Sequence, residues 1–369
     1  MPVRRHHMIA LVKYGYKKGE TELRSVPVPK IGDDDVLIEV KAAGVCGSDI
    51  ACEDGHHENI VRPPVVLGHE FSGVIAKVGK NVTDWKVGDR VVSENTGYVC
   101  GKCYACSTAD FLSCPERLGI GYGMDGAFTN YVRIPGQIMK IYPNCLMHIP
   151  EEMSFEEAAI LDPCCNAYMA VVQESHLMPG EYVAVFGVGA LGLFSIQAAR
   201  VAGAAKIIAI GLSSDEKRME LARKLGATDV LFSDRCDVVA EVMKITKGDG
   251  VALVCDCAGP AVVMQQSMAI TRPSVGQIVK IGYNEKPLGF SLDPIIDTAI
   301  SVKGHFGYNW VSWRNVMNLV VAGKIDMKSM ITHHMKVHQF YEAIDLMRKQ
   351  ESIKVILYPE DLESGDTLD

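Results

Sequence analysis

Two textures divide the chain. Over the first ~160 residues, short runs alternate apolar and polar positions, as in Val36-Leu37-Ile38-Glu39-Val40 and Asp89-Arg90-Val91-Val92. Glycine and proline punctuate these runs, with Gly88-Asp89 as a turn signal, so this half reads as β-rich and barrel-like. The texture changes at Ser154, where Ser154 and Glu157 form a capping-box pattern ahead of an apolar run and predict a helix start. From residue 181 onward, strand patterns at 182–186, 206–210, 251–255, 277–281 and 299–302 are interleaved with helical patterns at 190–202 and 216–225. That order predicts βαβ units on a parallel sheet, an α/β domain. After about 305 the rhythm is lost: helices are expected at 313–322 and 339–349, a last strand at 353–357, and a loose acidic tail over 360–369.

Composition narrows the class. With 369 residues, 48% apolar and 22% charged, the chain has enough material for two ordinary globular domains. A net charge of −8 argues against nucleic acid or an anionic membrane as partner. No apolar run reaches the ~18 residues of a membrane span, and the N-terminus lacks the build of a signal peptide. Twelve cysteines, four of them crowded into residues 100–114, point to reduced thiols and metal binding rather than a disulfide framework. A cytoplasmic location is expected.

Gly187-Val188-Gly189-Ala190-Leu191-Gly192 follows an apolar strand and opens a helix. Glycines there allow a sharp turn and close approach of a pyrophosphate to a helix N-terminus; the bland alternative is a tightly packed βα turn. The second strand ends at Gly211, where an NAD-selective site usually has an acidic residue for the ribose. Gly211, Ser213 and the nearby Lys217 and Arg218 suggest a roomy loop that tolerates a 2′-phosphate, hence NADP; alternatively, the two cations are solvated helix residues.

Cys100, Cys103, Cys106 and Cys114 are spaced C-x2-C-x2-C-x7-C. Four thiolates on one short loop can close a tetrahedral shell around zinc, a structural site because every ligand comes from protein. The spacing does not match the ferredoxin run of an iron–sulfur site. A second constellation is Cys46-Gly47-Ser48-Asp49 with Gly68-His69-Glu70. A thiolate, an imidazole and carboxylates suit a catalytic zinc with an open position, although a lone Cys and a lone His are more often ordinary core or loop residues.

These motifs occur in one order, with Val87-Gly88-Asp89-Arg90-Val91 between them, and together they closely resemble the zinc-containing medium-chain dehydrogenases along nearly the whole chain. The resemblance implies a GroES-like β-barrel catalytic domain (1–163 and 305–369) and a Rossmann dinucleotide-binding domain (164–304). It implies Cys46, His69 and Asp162 as ligands of a catalytic zinc, with Glu70 adjacent or alternating, while Asp162 could instead cap a turn. It implies a second, structural zinc, Ser48 as the first proton acceptor from substrate, and a homodimer or homotetramer. Many relatives end the proton relay at a histidine five residues after the first cysteine ligand. This chain has Ala51, so the relay must finish elsewhere, at His56, His57 or water.

The mechanism that the resemblance implies is that zinc would acidify a bound alcohol, and hydride would then pass from the carbinol carbon to a nicotinamide brought into contact by closure of the cleft between domains. The substrate expected is a small secondary alcohol, a polyol or sugar alcohol. L-Threonine is the alternative, because Asp162-Pro-Cys-Cys-Asn-Ala, Ile331-Thr332-His333 and Lys354-Val355-Ile356-Leu357 resemble L-threonine 3-dehydrogenase. A zinc-free quinone reductase shares the two-domain plan but leaves Cys46, His69 and the thiol loop without purpose. Tyr122, Phe128, Phe306, Tyr308 and Trp310 are either pocket walls or core.

Overall fold

Two nine-residue strands, Val36–Gly44 and Glu70–Val78, pair antiparallel and carry the first sheet of the protein. A computed structural model describes residues 7–284 and 286–361; the expected acidic tail lies, from 362 onward, outside the described residues. The chain divides into two compact units, Met1–Asp162 with Ile331–Asp369, and Pro163–Met330.

In the first unit the seven-stranded sheet runs Leu146–His148, Arg90–Ser93, Glu70–Val78, Val36–Gly44, Lys354–Tyr358, Ile331–Lys336, with Tyr131–Ile134 also on Val36–Gly44. A smaller sheet joins His7–Lys13, Thr21–Pro27 and Val65–Val66. Alternation on Val36–Gly44 sends Val36, Ile38 and Val40 into one core with Phe71, Ile75, Val91 and Phe128, as period-two patterning requires. The C-terminal strand places Ile356 opposite Gly44, which itself lies opposite Glu70. The expected capping box forms: Ser154 Oγ accepts from Glu157 N at 3.2 Å and Glu157 Oε2 accepts from Ser154 N at 2.9 Å.

The second unit is a six-stranded parallel sheet in the order Asp229–Phe232, Lys206–Gly211, Tyr182–Phe186, Leu253–Asp256, Gln277–Lys280, Ser301–Gly304. Its first three strands in sequence, and the switch between Tyr182–Phe186 and Leu253–Asp256, reproduce the doubly wound arrangement that binds ligands beyond the carboxyl ends of its strands. The last strand starts two residues later than the pattern at 299–302 suggested, because Ala299 takes a left-handed φ of 52° to end the helix Asp293–Thr298.

The first break between units falls beside the expected 163/164, but the second falls at 330/331 and not at 304/305. Hydrogen bonds explain the difference. Asn315 Nδ2 donates to Tyr168 Oη at 3.3 Å, and Gln197 holds both the N and the O of Asp326, at 2.7 and 3.1 Å. Arg200 donates to Lys324 O at 2.6 Å. The helix Trp310–Val321 and the loop after it are therefore tied to the parallel unit. Among the described residues no helix is long and apolar enough to cross a membrane.

Candidate active site

The glycine turn shows three different reasons for glycine. Gly187 has a φ of 86°, a left-handed value that side chains rarely adopt. A Cβ on Gly192 would lie 1.8 Å from Gly187 O, so the helix Ala190–Val201 starts against the turn itself. A Cβ on Gly189, the residue that precedes the helix, would meet nothing within 4 Å. That open space in front of a twelve-residue helix's first N–H groups fits an incoming pyrophosphate. Val188 is buried, and Ala190 and Leu191 are half-buried.

Gly211 does not sit in the roomy loop expected of it. It is buried, and a Cβ there would come within 3.1 Å of Met219 Cε, 3.2 Å of Val188 Cγ2 and 3.3 Å of Asp215 Oδ2. The surroundings are acidic. Ser213 N donates to Asp234 Oδ1 at 2.8 Å and Ser213 Oγ to Asp234 Oδ2. Leu212 N donates to Asp215 Oδ2 at 3.1 Å, and Arg218 pairs with Asp215 Oδ1 at 3.3 Å. A side chain at Gly211 would have to press Met219, Val188 or Asp215 aside by a few tenths of an ångström, so the space expected there for a 2′-phosphate is already partly filled.

The four-cysteine loop closes as its spacing predicted. Cys103 precedes the short helix Tyr104–Ser107, Cys106 lies within it, and Gly101 at a φ of 73° reverses the chain between Cys100 and Cys103. One ligand atom from each of Cys100, Cys103, Cys106 and Cys114 lies within 4.8 Å of the others. Sulfur separations are 3.5 Å for Cys103–Cys106, 3.7 Å for Cys100–Cys114 and 4.0 Å for Cys100–Cys106. A tetrahedron with Zn–S bonds of 2.3 Å has edges of about 3.8 Å, whereas a disulfide would need sulfurs at about 2 Å. The donor set fits zinc.

Cys46, His69 and Glu70 come together although two segments supply them, with one ligand atom of each within 4.8 Å of the others. Cys46 precedes the helix Gly47–Asp54, and its N–H donates to Asp49 Oδ2 at 2.8 Å. The other oxygen of this fully buried carboxylate lies 3.4 Å from His69 Nδ1. Asp49 thus turns Nε2 of His69 toward the pocket, as a carboxylate behind a ligating histidine does. Asp49 belongs to the Cys46-Gly47-Ser48-Asp49 motif, but nothing in that spacing reveals this task. At Nε2, His69 meets Tyr122 Oη at 3.2 Å and Ser48 Oγ at 3.4 Å, and Tyr122 Oη donates to Ser48 Oγ at 2.8 Å. Tyr122 stacks on His69 with ring centroids 4.8 Å apart.

Glu70 is partnered by Lys354 from the C-terminal strand, whose ammonium donates to Glu70 Oε2 and, at 2.7 Å, to Val45 O. Both side chains are buried, and Glu70 Oε1 has no hydrogen-bond partner. Gly44 is required beside them, for a Cβ there would overlap Glu70 Oε2 at 2.4 Å. Burial disfavours the charged form of His69 and of Lys354. Asp49 and Cys46 outweigh it at His69, and Glu70 and Cys46 do so at Lys354, so that both pKa values rise. A pocket that raises the pKa of every cationic group in it, with an orphaned carboxylate oxygen, suits a metal cation.

Asp162 is not part of this group. It opens the helix Leu161–Tyr168, and its Oδ2 accepts from Asn95 Nδ2 at 3.2 Å. Of the expected set of four, Cys46, His69 and Glu70 come together, and Asp162 stands outside that group. Cys164 and Cys165 are buried in the next turn. Of the relay candidates, His56 is exposed and His57 half-buried, while the hydroxyl that actually touches Ser48 belongs to Tyr122. Phe128 is core; Phe306 is exposed, and Tyr308 packs edge-on against Trp313.

Comparison with known proteins bears on these two constellations. Residues 32–143 match the sequence family described as alcohol dehydrogenase GroES-like domain, and residues 190–322 match zinc-binding dehydrogenase. The chain belongs to the zinc-type medium-chain alcohol dehydrogenase family. Its architecture is accordingly a GroES-like domain with a Rossmann-like domain. It is 42% identical over 358 residues to the uncharacterized zinc-type alcohol dehydrogenase-like protein YdjL of Escherichia coli strain K12, covering 95% of this chain and 98% of that one. It is 35% identical to the sorbitol dehydrogenase of Halalkalibacterium halodurans, covering 96% of this chain and all of that one. It is 36% identical to the L-threonine 3-dehydrogenase of Bacillus licheniformis, covering 96% and 99%.

Proposed function

We propose that this dehydrogenase interconverts a small secondary alcohol, a polyol or sugar alcohol, and its ketone, using zinc and a nicotinamide dinucleotide. The observation that carries this reading is the convergence of Cys46, His69 and Glu70 donors within 4.8 Å, beside the Ser48 hydroxyl. Zinc held there supplies Lewis acidity that lowers the pKa of an alcohol hydroxyl and polarises a carbonyl. Cys46, His69 and Glu70 hold it, and Lys354 offsets the surplus charge of Glu70. Ser48 takes the substrate's hydroxyl proton and passes its own hydrogen on to water. Tyr122 fixes the Ser48 rotamer by donating to its Oγ, which leaves the second lone pair of that oxygen and its own hydrogen for the exchange. No histidine at position 51 is needed to orient Ser48. Residues 187–192 bind the pyrophosphate, and the thiol loop holds a second, structural zinc.

The relatives named for their substrates act on sorbitol and on L-threonine. Both molecules carry a secondary carbinol next to a carbon bearing a heteroatom, and that is the substrate class proposed here. L-Threonine itself is the second reading, favoured by the 36% identity and by Asp162-Pro163-Cys164-Cys165-Asn166-Ala167. The described cysteines are all free, which supports a cytoplasmic setting. A homodimer or homotetramer is supported by the outer strand Ser301–Gly304, all four of whose residues are exposed.

The test is metal analysis joined to a screen of polyols, sugar acids and L-threonine with NAD⁺ and NADP⁺. Two zinc ions per chain and turnover of a vicinal diol are expected. Cys46→Ala should abolish turnover while leaving the melting temperature and dinucleotide affinity near those of the parent. A zinc-free preparation that reduces quinones would move the protein to the quinone reductases.

A further inference from the structure

We propose that Asp234, clamped on Ser213, makes the dinucleotide site select NAD(H) over NADP(H). This rests on the reading of Gly187–Gly192 as the pyrophosphate turn. In doubly wound sheets the adenosine ribose is read at the carboxyl end of the second strand, ordinarily by an acidic side chain there. Here that strand is Lys206–Gly211, and its end carries no side chain.

The neighbouring strand supplies the acid instead. Gly211 lies in register with Phe232, and Ser233 N donates to Gly211 O at 2.8 Å, so the two strand ends are stitched together. Asp234, one residue further, receives both the N–H and the hydroxyl of Ser213. Those two bonds set an exposed carboxylate beside the loop that follows the second strand. A carboxylate offers about four lone-pair sites, so two remain to accept from a ribose 2′-hydroxyl. A 2′-phosphate offers no such hydrogen and brings a charge near −2 against Asp234.

Nearby cations do not reverse this. Arg218 is engaged with Asp215 at 3.3 Å, Arg235 lies over the Phe232 ring at 5.1 Å, and Lys217 is a solvated helix residue. Gly211 cannot be counted as space left for a phosphate, because Met219, Val188 and Asp215 already surround it.

The experiment is calorimetric titration of the full chain with NADH and with NADPH, on the parent and on Asp234→Asn. Asparagine keeps an acceptor for Ser213 N, turns the oxygen that accepts from Ser213 Oγ into an NH2 donor to that hydroxyl, and removes the charge; thermal melting of both proteins checks that the fold is unchanged. The parent is expected to bind NADH at least about tenfold more tightly than NADPH, the size of repulsion between such charges at solvent-exposed range. In Asp234→Asn the gap should narrow severalfold, through a gain in NADPH affinity. Asp234→Arg, a stronger perturbation of the same exposed position, should tilt the ratio toward NADPH. Equal or tighter binding of NADPH by the parent, or a ratio that neither substitution moves, overturns the assignment. Failure of the parent to bind either nucleotide is a different result: it removes the pyrophosphate turn itself, and this proposal with it.

Discussion

Replacing Gly189 and Gly192 separately by alanine should split stability from binding within a single turn of chain. At Gly192 the new methyl would stand 1.8 Å from Gly187 O and 2.9 Å from its carbonyl carbon, both backbone atoms that no rotamer change can move. Relief requires the helix start to retreat by more than 1 Å, a distance on the scale of the ordinary carbon–oxygen contact of ~3.2 Å less the observed one. Overpacking of this kind costs about 1–3 kcal/mol or more, and the roughly 1 kcal/mol that alanine gains over glycine in a helix recovers only part of it. At Gly189 the methyl would enter open space, and the backbone there, with φ −73° and ψ −172°, is one that alanine adopts freely. A small loss at the N-cap is matched by the reduced freedom of the unfolded chain, so the net change is about zero. Thermal unfolding and NADH fluorescence titration read the two effects. Gly192→Ala should melt several degrees lower. Gly189→Ala should melt with the parent yet bind NADH at least about tenfold more weakly, because its methyl occupies the approach to the helix N-terminus. Parental NADH affinity in Gly189→Ala would refute the placement of the pyrophosphate, and parental stability in Gly192→Ala would refute the close contact.

Two further expectations concern the thiol loop and an acid-sensitive contact. Cys103→Ser should lower the zinc content by about one ion per chain and the melting temperature with it, since three thiolates and an alcohol make a poorer shell than four thiolates; an unchanged melting curve would remove the structural metal. Burial disfavours ionised Glu174, but hydrogen bonds and charges from His305 and Lys303 outweigh it and hold the carboxyl below its ordinary pKa. A depressed carboxyl pKa stabilises the fold above the unfolded-state value, and that contribution fades as pH falls through the folded value. Glu174→Gln should therefore cost about 2 kcal/mol near neutral pH and progressively less below about pH 4. A difference in melting temperature that stays constant down to pH 3 would contradict this.

Periodicity made the parallel unit legible, because strands buried on both faces are written as unbroken apolar runs such as Ile207–Ile210 and end in turn residues. The thiol loop was legible for a different reason: all four ligands fall within fifteen consecutive positions. What escaped were pairings between distant segments. Lys354 and Glu70 stand 284 residues apart, and Ser213 and Asp234 stand 21 apart on separate strand ends. Nothing local marks either pair. At Gly211 an absent side chain looks like room in a sequence, whereas Met219 and Val188 partly occupy that room in the folded chain. Asp162 is expected as a ligand from its place in a motif, whereas its Oδ2 accepts from Asn95 Nδ2 and it stands outside the Cys46, His69 and Glu70 group.

The first unit is assembled from both ends of the chain, with the whole of Pro163–Met330 between them. On the ribosome the parallel unit is continuous and can complete itself while the strand Lys354–Tyr358 is still unmade. Until that strand emerges and pairs with Val36–Gly44, Glu70 has a buried position without its ammonium. Completion of the pocket of Cys46, His69 and Glu70 is thereby coupled to the end of synthesis: a chain cut short before residue 354 would carry all three side chains and still lack the charge that lets Glu70 stay inside.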